Sequence, residues 1–219
     1  MEQDLVVMME GVRLEESPER CEELLGITVQ CDLKWSEQIE NLTRKLGTRL
    51  TGLEKLKYVM SKSGRKNIVQ GVFNSVLCYC IPLFGGCNKS EVHQLQVKQN
   101  RAAQCVLNLP PRTSRAIVYD KLGWLTVLQL IAYHTLIAVY RVRMKKEPEH
   151  LASHLCWDNI YENIIVQNNK LGLYRDSFVY RGSTLWNKLP KSLRKESKIG
   201  TFKTKLVTWV EEKIARFDN

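Results

Sequence analysis

Across residues 36–60, SEQIENLTRKLGTRLTGLEKLKYVM, the apolar side chains Ile39, Leu42, Leu46, Leu50, Leu53 and Leu56 recur at steps of three and four. That is the period of one buried helix face. Arg44, Lys45, Arg49, Lys55 and Lys57 fill the intervening positions. A helix with a leucine face and a basic face is a core element, and its outer side is either an ordinary solvated surface or one that meets a polyanion. The pattern alone leaves both open. Ser36 is a suitable N-cap, and Glu37 in the first turn suits the helix dipole. The preceding Leu24-Leu25-Gly26-Ile27-Thr28-Val29 is β-rich, with a glycine that fits a close backbone approach or a bulge.

The same stretch marks a change in charge. Residues 1–40 carry three basic side chains (Arg13, Arg20, Lys34) against eleven acidic ones, a balance of −8. Of 33 Lys+Arg and 23 Asp+Glu in all, residues 41–219 therefore hold 30 basic and 12 acidic, a balance of +18. An excess of that size over one contiguous region favours nucleic acid, and after it an anionic membrane surface, as partner. A hydrophobic content of 44% over 219 residues allows one large or two small domains with a core. Seven cysteines is an odd number, and no leading stretch has the make-up of a secretory signal. Reduced thiols and an intracellular protein, nuclear or cytoplasmic and not secreted, are expected. The most apolar windows, 68–84 and 125–140, are interrupted by Asn74, Ser75, Pro82, Gln129 and His134. Neither reaches the roughly 20 apolar residues of a membrane span, so both are read as buried helices.

Along the chain, an apolar run at 5–9 ending at Gly11 and the acidic turn at Ser17-Pro18 look like strand remnants. After the loop 61–65 a second helix presents Ile68, Val69, Val72, Phe73, Val76, Leu77 and Cys80, and ends at Pro82 and Gly85-Gly86. A third begins at Ser90, buries Val92, Leu95, Ala102, Ala103, Val106 and Leu107, turns Lys98, Asn100 and Arg101 outward, and stops at Pro110-Pro111. Three consecutive antiparallel helices with short connections make a compact bundle. Beyond the diproline, Thr113 or Ser114 caps a short helix closed by Gly123. Thr126 starts an apolar helix that runs through Tyr140 and leaves on Arg141, Arg143, Lys145 and Lys146, with Pro148 ending it. Ile160, Ile164, Ile165 and Val166, a turn at Asn168-Asn169, then Leu171, Leu173 and Tyr174 predict a β-hairpin. A short helix ends at Pro190, and Thr201 caps a last one facing inward with Phe202, Leu206, Trp209, Val210 and Ile214. The expectation is a mainly α chain: a small N-terminal β segment (1–35), a three-helix bundle (36–110), and a second C-terminal helical region (113–219) with a hairpin.

Candidate chemistry is sparse. Cys78, Cys80, Cys87 and His93 lie within sixteen residues, and His150, His154 and Cys156 within seven. Cys78 and Cys80 are two apart in an apparent helix and face different ways, so they do not pair on one metal ion. No metal and no cofactor is expected. No nucleophile elbow, glycine-rich phosphate loop or paired-carboxylate metal site is recognisable. For nucleic acid the signal is better: basic residues interleave with aromatics at Lys55-Leu56-Lys57-Tyr58, Tyr140-Arg141, Tyr174-Arg175 and Tyr180-Arg181. Stacking on an aromatic contributes ~1–3 kcal/mol per unpaired base, and phosphate contacts add a salt-dependent term.

The order of Leu24-Leu25-Gly26-Ile27, Asp32-Leu33-Lys34-Trp35-Ser36 and the long basic helix resembles the end of the reverse transcriptase of LINE-type (non-LTR) retrotransposons, of the jockey-like group. The resemblance continues through Leu95-Gln96-Val97-Lys98-Gln99-Asn100-Arg101-Ala102-Ala103, Leu122-Gly123-Trp124-Leu125, Phe178 with Arg181, Leu185-Trp186-Asn187-Lys188-Leu189-Pro190 and Thr201-Phe202-Lys203. It implies that 25–33 is the last hairpin of a palm, 36–109 a thumb, and 113 onward a post-thumb region. The Tyr-Ala-Asp-Asp type catalytic motif, the fingers and an endonuclease do not occur in this sequence, so polymerase activity does not transfer and no catalytic residue is assigned. The expectation is a non-enzymatic, nucleic-acid-binding fragment of an RNA-directed DNA polymerase. Its partners would be RNA or an RNA/DNA hybrid and the missing palm and fingers, with no membrane. Arg44, Lys45, Arg49, Lys55, Lys57, Lys98 and Arg101 would contact backbone phosphates without reading bases. The alternative is a helical protein-interaction or non-functional remnant whose basic surface has no nucleic-acid role.

Overall fold

Leu25 and Gly26 both adopt the left-handed region (φ 51° and 80°), and with Leu24 opposite Ile27 they form a two-residue turn between strands β3 (Cys21–Leu24) and β4 (Ile27–Gln30). The glycine therefore serves a hairpin turn of the type that needs two positive φ angles, not a bulge within one strand. The structure is a computed structural model that describes residues 7–9, 12–14, 21–110, 113–158, 162–167 and 171–214. A first hairpin pairs β1 (Val7–Met9) with β2 (Val12–Leu14). The expected turn at Ser17-Pro18 and the start of the 5–9 run lie outside the described residues.

Helix α1 (Ser36–Leu56) buries Ile39, Leu42, Leu46, Leu50 and Leu53 as the period requires, whereas Leu56 at its end is 41% exposed. Ser36 is not its cap. Trp35 holds that position, and a first-turn donor is taken up from outside the helix, where the Glu37 N–H donates to Gln30 Oε1 at 3.0 Å. The β3–β4 hairpin thus caps α1 with a side chain from β4. Gln38 Oε1 accepts from the Thr28 N–H, and Asn41 Nδ2 donates to Thr28 Oγ1.

The expected loop at 61–65 is already helical. Ser61 caps α2 (Lys62–Ile68) by accepting from the Gly64 N–H. A π-helical stretch, Val69–Asn74, follows and leads into α3 (Ser75–Leu77). The wider turn keeps Val69, Phe73 and Leu77 in line on the core side at steps of four and leaves Val72 39% exposed. The chain then breaks at Cys80 (φ 51°), two residues before Pro82, because in a continuous helix Pro82 would have no N–H for the Cys78 carbonyl and its ring would clash with it, whereas proline suits the first turn of a new helix. That next helix is α4 (Ile81–Phe84).

Helix α5 (Lys89–Leu107) starts before Ser90, at Asn88, which forms a reciprocal capping box with Glu91. Helix α6 (Arg115–Leu122) ends at Gly123 in the left-handed conformation, and α7 (Val127–Lys145) opens on a Thr126–Gln129 capping box. The remaining elements are α8 (Glu149–His154), β5 (Trp157–Asp158), β6 (Asn163–Ile164), α9 (Gly172–Asp176), α10 (Phe178–Asn187), α11 (Lys191–Arg194) and α12 (Ile199–Lys213). The predicted C-terminal hairpin is displaced. Its strands are β5 and β6, while Leu173 and Tyr174 belong to α9. The expected turn at Asn168-Asn169 lies outside the described residues. Helix α12 begins at Ile199, not at a Thr201 cap. The chain is mainly α with a small N-terminal β segment.

Two apolar cores meet along α7. The first gathers the inner faces of α1, the π-helical stretch, α4, α5 and α6 with Val127 and Ile131 of α7. The second gathers Leu136, Ile137, Val139 and Tyr140 of α7 with Ile164, Trp186, Leu193, Phe202 and Leu206. The seam therefore lies inside α7 and not at Pro110-Pro111. Across it, Arg181 of α10 donates to the Pro82 carbonyl, its guanidinium held in place by a second bond to the nearby Asp176 carbonyl of α9. Gly86 lets the backbone at Asp176 approach so closely that a Cβ would collide with its carbonyl oxygen.

Within the second core, Asn187 bonds both the N–H and the C=O of Ile164, at 2.8 and 2.7 Å. A side-chain amide thereby takes the place of a neighbouring strand for β6. Trp186, fully buried, donates its indole N–H to the Glu162 carbonyl, and Phe202 stacks on Tyr140 at 4.3 Å. Gly86→Ala is expected to destabilise the chain by about 1–3 kcal/mol through overpacking. Gly52→Ala, in the middle of α1 with nothing within 4 Å, is expected to stabilise it by about 0.5–1 kcal/mol. Urea denaturation of the two variants checks both.

Candidate nucleic-acid interface

The seven basic side chains expected to bind phosphate do not share one surface. Arg44 and Lys55, eleven residues apart, project together from the outer face of α1, while Lys45 and Arg49 lie a further quarter to third of a turn around; all four are exposed. Arg49 is committed locally and donates to the Val72 carbonyl of the π-helical stretch at 2.7 Å. Arg44 donates to Asn41 Oδ1. Lys98 lies over α1 against Gly47, its ammonium 3.4 Å from where a Cβ there would be. Only Lys57 and Arg101 are brought to one place.

That place is an open groove of about 850 Å³ between the end of α1, the outer side of α5 and the start of α6. Helices α1 and α5 run in the same direction here, with Gly47 beside Lys98 and the Cys105 thiol donating to the Leu53 carbonyl. Lys57, Arg101 and Arg115 line the groove with one carboxylate, Glu54. Three cations and one anion leave it at +2. Arg101 pairs with Glu54 at 2.8 Å, but both side chains are about half exposed, and an exposed pair of this kind contributes ~0–1 kcal/mol and opens readily. Tyr58 stands at the mouth, 77% exposed, with the Lys57 ammonium 4.7 Å from its ring centre. Val97 and Leu109 add apolar lining.

Arg65 sets the position of this edge. Its guanidinium donates to the carbonyls of Lys57 (2.9 Å), Met60 (2.6 Å) and Val106 (3.0 Å), fastening the turn that carries Lys57 and Tyr58 to the end of α5. Arg65 falls at the end of the expected loop 61–65 but belongs to α2. The Ser61 cap three residues before Gly64 was the available signal that a helix starts there and turns Arg65 inward. Arg115 and Glu54 were missed because a helix pattern does not tell which faces of α1, α5 and α6 open onto a common groove.

A buried polar network holds α5 to α6 and α7. Gln96 Nε2 donates to the Tyr119 hydroxyl at 2.6 Å, Tyr119 donates to Gln99 Oε1 at 2.9 Å, Gln99 Nε2 donates to the Leu125 carbonyl, and the Val127 N–H donates to Gln96 Oε1. Burial pushes the Tyr119 hydroxyl well above the usual phenol range, so it stays a neutral donor and acceptor. None of the seven cysteines forms a disulfide. No group of three His, Cys, Asp or Glu side chains among the described residues converges as a metal site. Among those residues no single helix is long and apolar enough to cross a membrane; α6 and α7 pass that measure only together, across a 40° bend.

Burial pushes the Cys78 thiol up to about 11 and Cys87 up to about 12. Each keeps its proton in the folded chain after the unfolded chain has lost it at roughly pH 8.5. Their contribution to stability is complete below that pH and is lost as pH rises towards 12. The urea midpoint should therefore hold from about pH 7 to 8 and fall above it, with a shallower fall in Cys87→Ala. Replacing Arg65 by methionine should cost about 2–4 kcal/mol in the same assay, because three carbonyls lose a charged donor. Lysine should not restore it, since a single ammonium cannot span the fork. No family model, curated protein or solved structure matches the chain.

Proposed function

We propose that this chain is a non-catalytic nucleic-acid-binding module that holds RNA or an RNA/DNA hybrid by its phosphates. The observation that carries the reading is the groove in which Lys57, Arg101 and Arg115 meet beside Tyr58, within a stretch whose balance is +18. A polyanion entering it displaces the weak Arg101–Glu54 pair and releases condensed counterions, which is where affinity for a phosphate backbone comes from. Arg44, Lys45 and Lys55, exposed on the outer side of α1, add long-range attraction without converging on one phosphate path. The thumb-like part of a LINE-type reverse transcriptase remains the origin we propose for it, in an intracellular setting. Several residues of the strings that carry that resemblance tie separate parts of the fold together: Gln96, Gln99, Arg181, Trp186, Asn187 and Phe202.

A separate observation favours a protein partner for the N-terminal end. Leu24, Leu25 and Leu33 around the β3–β4 hairpin are 65%, 83% and 60% exposed, and the last two hold positive φ angles. Leucine at such positions is uncommon.

Fluorescence anisotropy with a labelled RNA tests the groove. Lys57→Glu with Arg101→Glu should weaken binding by ~10-fold or more and reduce the magnitude of the log–log salt slope by about 1.4–1.8. Glu54→Gln should tighten it. Unchanged affinity in the double variant at moderate salt removes the proposal.

A further inference from the structure

The groove pairs its cations with an aromatic that has no part in either core. Tyr58 is 77% exposed and its neighbour Val59 83%, yet the turn carrying them is not loose, because Arg65 fixes the Lys57 and Met60 carbonyls to the end of α5. The Lys57 ammonium lies over the Tyr58 ring, and a cation on one face leaves the opposite face of so exposed a ring to solvent. Val97, 42% exposed, and Leu109, half-buried, line the same groove. A phosphate backbone alone has no use for apolar lining or for an open ring. An unpaired base uses both, while the bases of a duplex are already stacked on one another and cannot reach a side chain in a groove.

Building on the phosphate-binding reading above, we infer that the groove takes single-stranded nucleic acid, with one unpaired base stacked on the free face of Tyr58 and the adjoining phosphates on Lys57 and Arg101. Arg65 is a positioning residue that holds the ring at a fixed distance from the Arg101 helix. Glu54 is the competitor for Arg101 that the incoming phosphate replaces.

The test compares the whole chain with Tyr58→Ala and Tyr58→Phe. The probes are an oligouridine of roughly 12 nucleotides, within the span bound by single-strand sites, and an RNA duplex of about the same length. Tyr58→Ala should weaken oligouridine binding roughly 5- to 150-fold, the range expected for losing one stacked base. It should leave duplex binding within about twofold, and Tyr58→Phe should behave as the parent, since the ring and not the hydroxyl stacks. With Tyr58 so exposed, the alanine variant keeps its fold, which far-UV circular dichroism verifies. Two outcomes overturn the inference while leaving the phosphate-binding reading intact: oligouridine affinity unchanged in Tyr58→Ala although the Lys57→Glu, Arg101→Glu variant binds weakly, or an equal loss for both probes. Absence of salt-dependent binding of either probe to the parent chain overturns the phosphate-binding reading and this inference with it.

Discussion

Helix α7 is enclosed over most of its circumference. Thr135, Leu136, Ile137, Val139, Tyr140 and Val142 are buried, and only a narrower strip through His134, Ala138, Arg141 and Lys145 is turned towards solvent; a helix with so wide an apolar face is stable only when other elements cover it. The first half is covered by the α1–α6 bundle and the second half by α8, the β5–β6 hairpin and α10–α12. Each set of elements is small for an independent core, and each borrows half of α7 to complete one. That dependence explains why the seam falls within a helix and why close-approach glycines and the Arg181 guanidinium are concentrated beside it.

Enclosing α7 also sets the polar accounting. The turn that feeds α7 buries the Val127 N–H and presents the Leu125 carbonyl, and both are met by glutamines of α5 through the network centred on Tyr119. In the same first turn Gln129 donates to the Ile214 carbonyl after α12. Buried amides of this kind stabilise only when every partner is present. They therefore fix the azimuth of α5, and α5 carries Arg101. On the other side of the groove Arg65 fixes the end of α1 to the same helix. The candidate site is thus a product of packing: its two predicted cations are held on separate helices whose separation is set by buried glutamines, a tyrosine and an arginine.

Much of this was legible in the sequence, and the exceptions have physical causes. The leucine period gave α1 and its buried face, and Thr126, Gly123 and the second diproline residue's neighbour Pro110 marked the boundaries of helices. The cap of α1 was misread because its donor is met by Gln30 from β4, a partner supplied by tertiary structure. Val72 was misplaced because a π-helical stretch has a different period from the one assumed. The C-terminal hairpin was displaced because β6 is stabilised by Asn187, which is not a strand residue. For the candidate binding residues, charge balance points to the region 41–219 but not to a face. Arg49 resembled Lys57 in sequence, yet one meets a backbone carbonyl and the other an open groove.

Amide chemical-shift mapping of the 15N-labelled chain during titration with a short oligouridine tests the central claim most directly. The account predicts perturbations at 57–60, 100–105 and 113–116, on the three segments that border the groove, with the second core unaffected. Perturbations confined to the outer face of α1 around Arg44 and Lys45, or none at low salt, would contradict it.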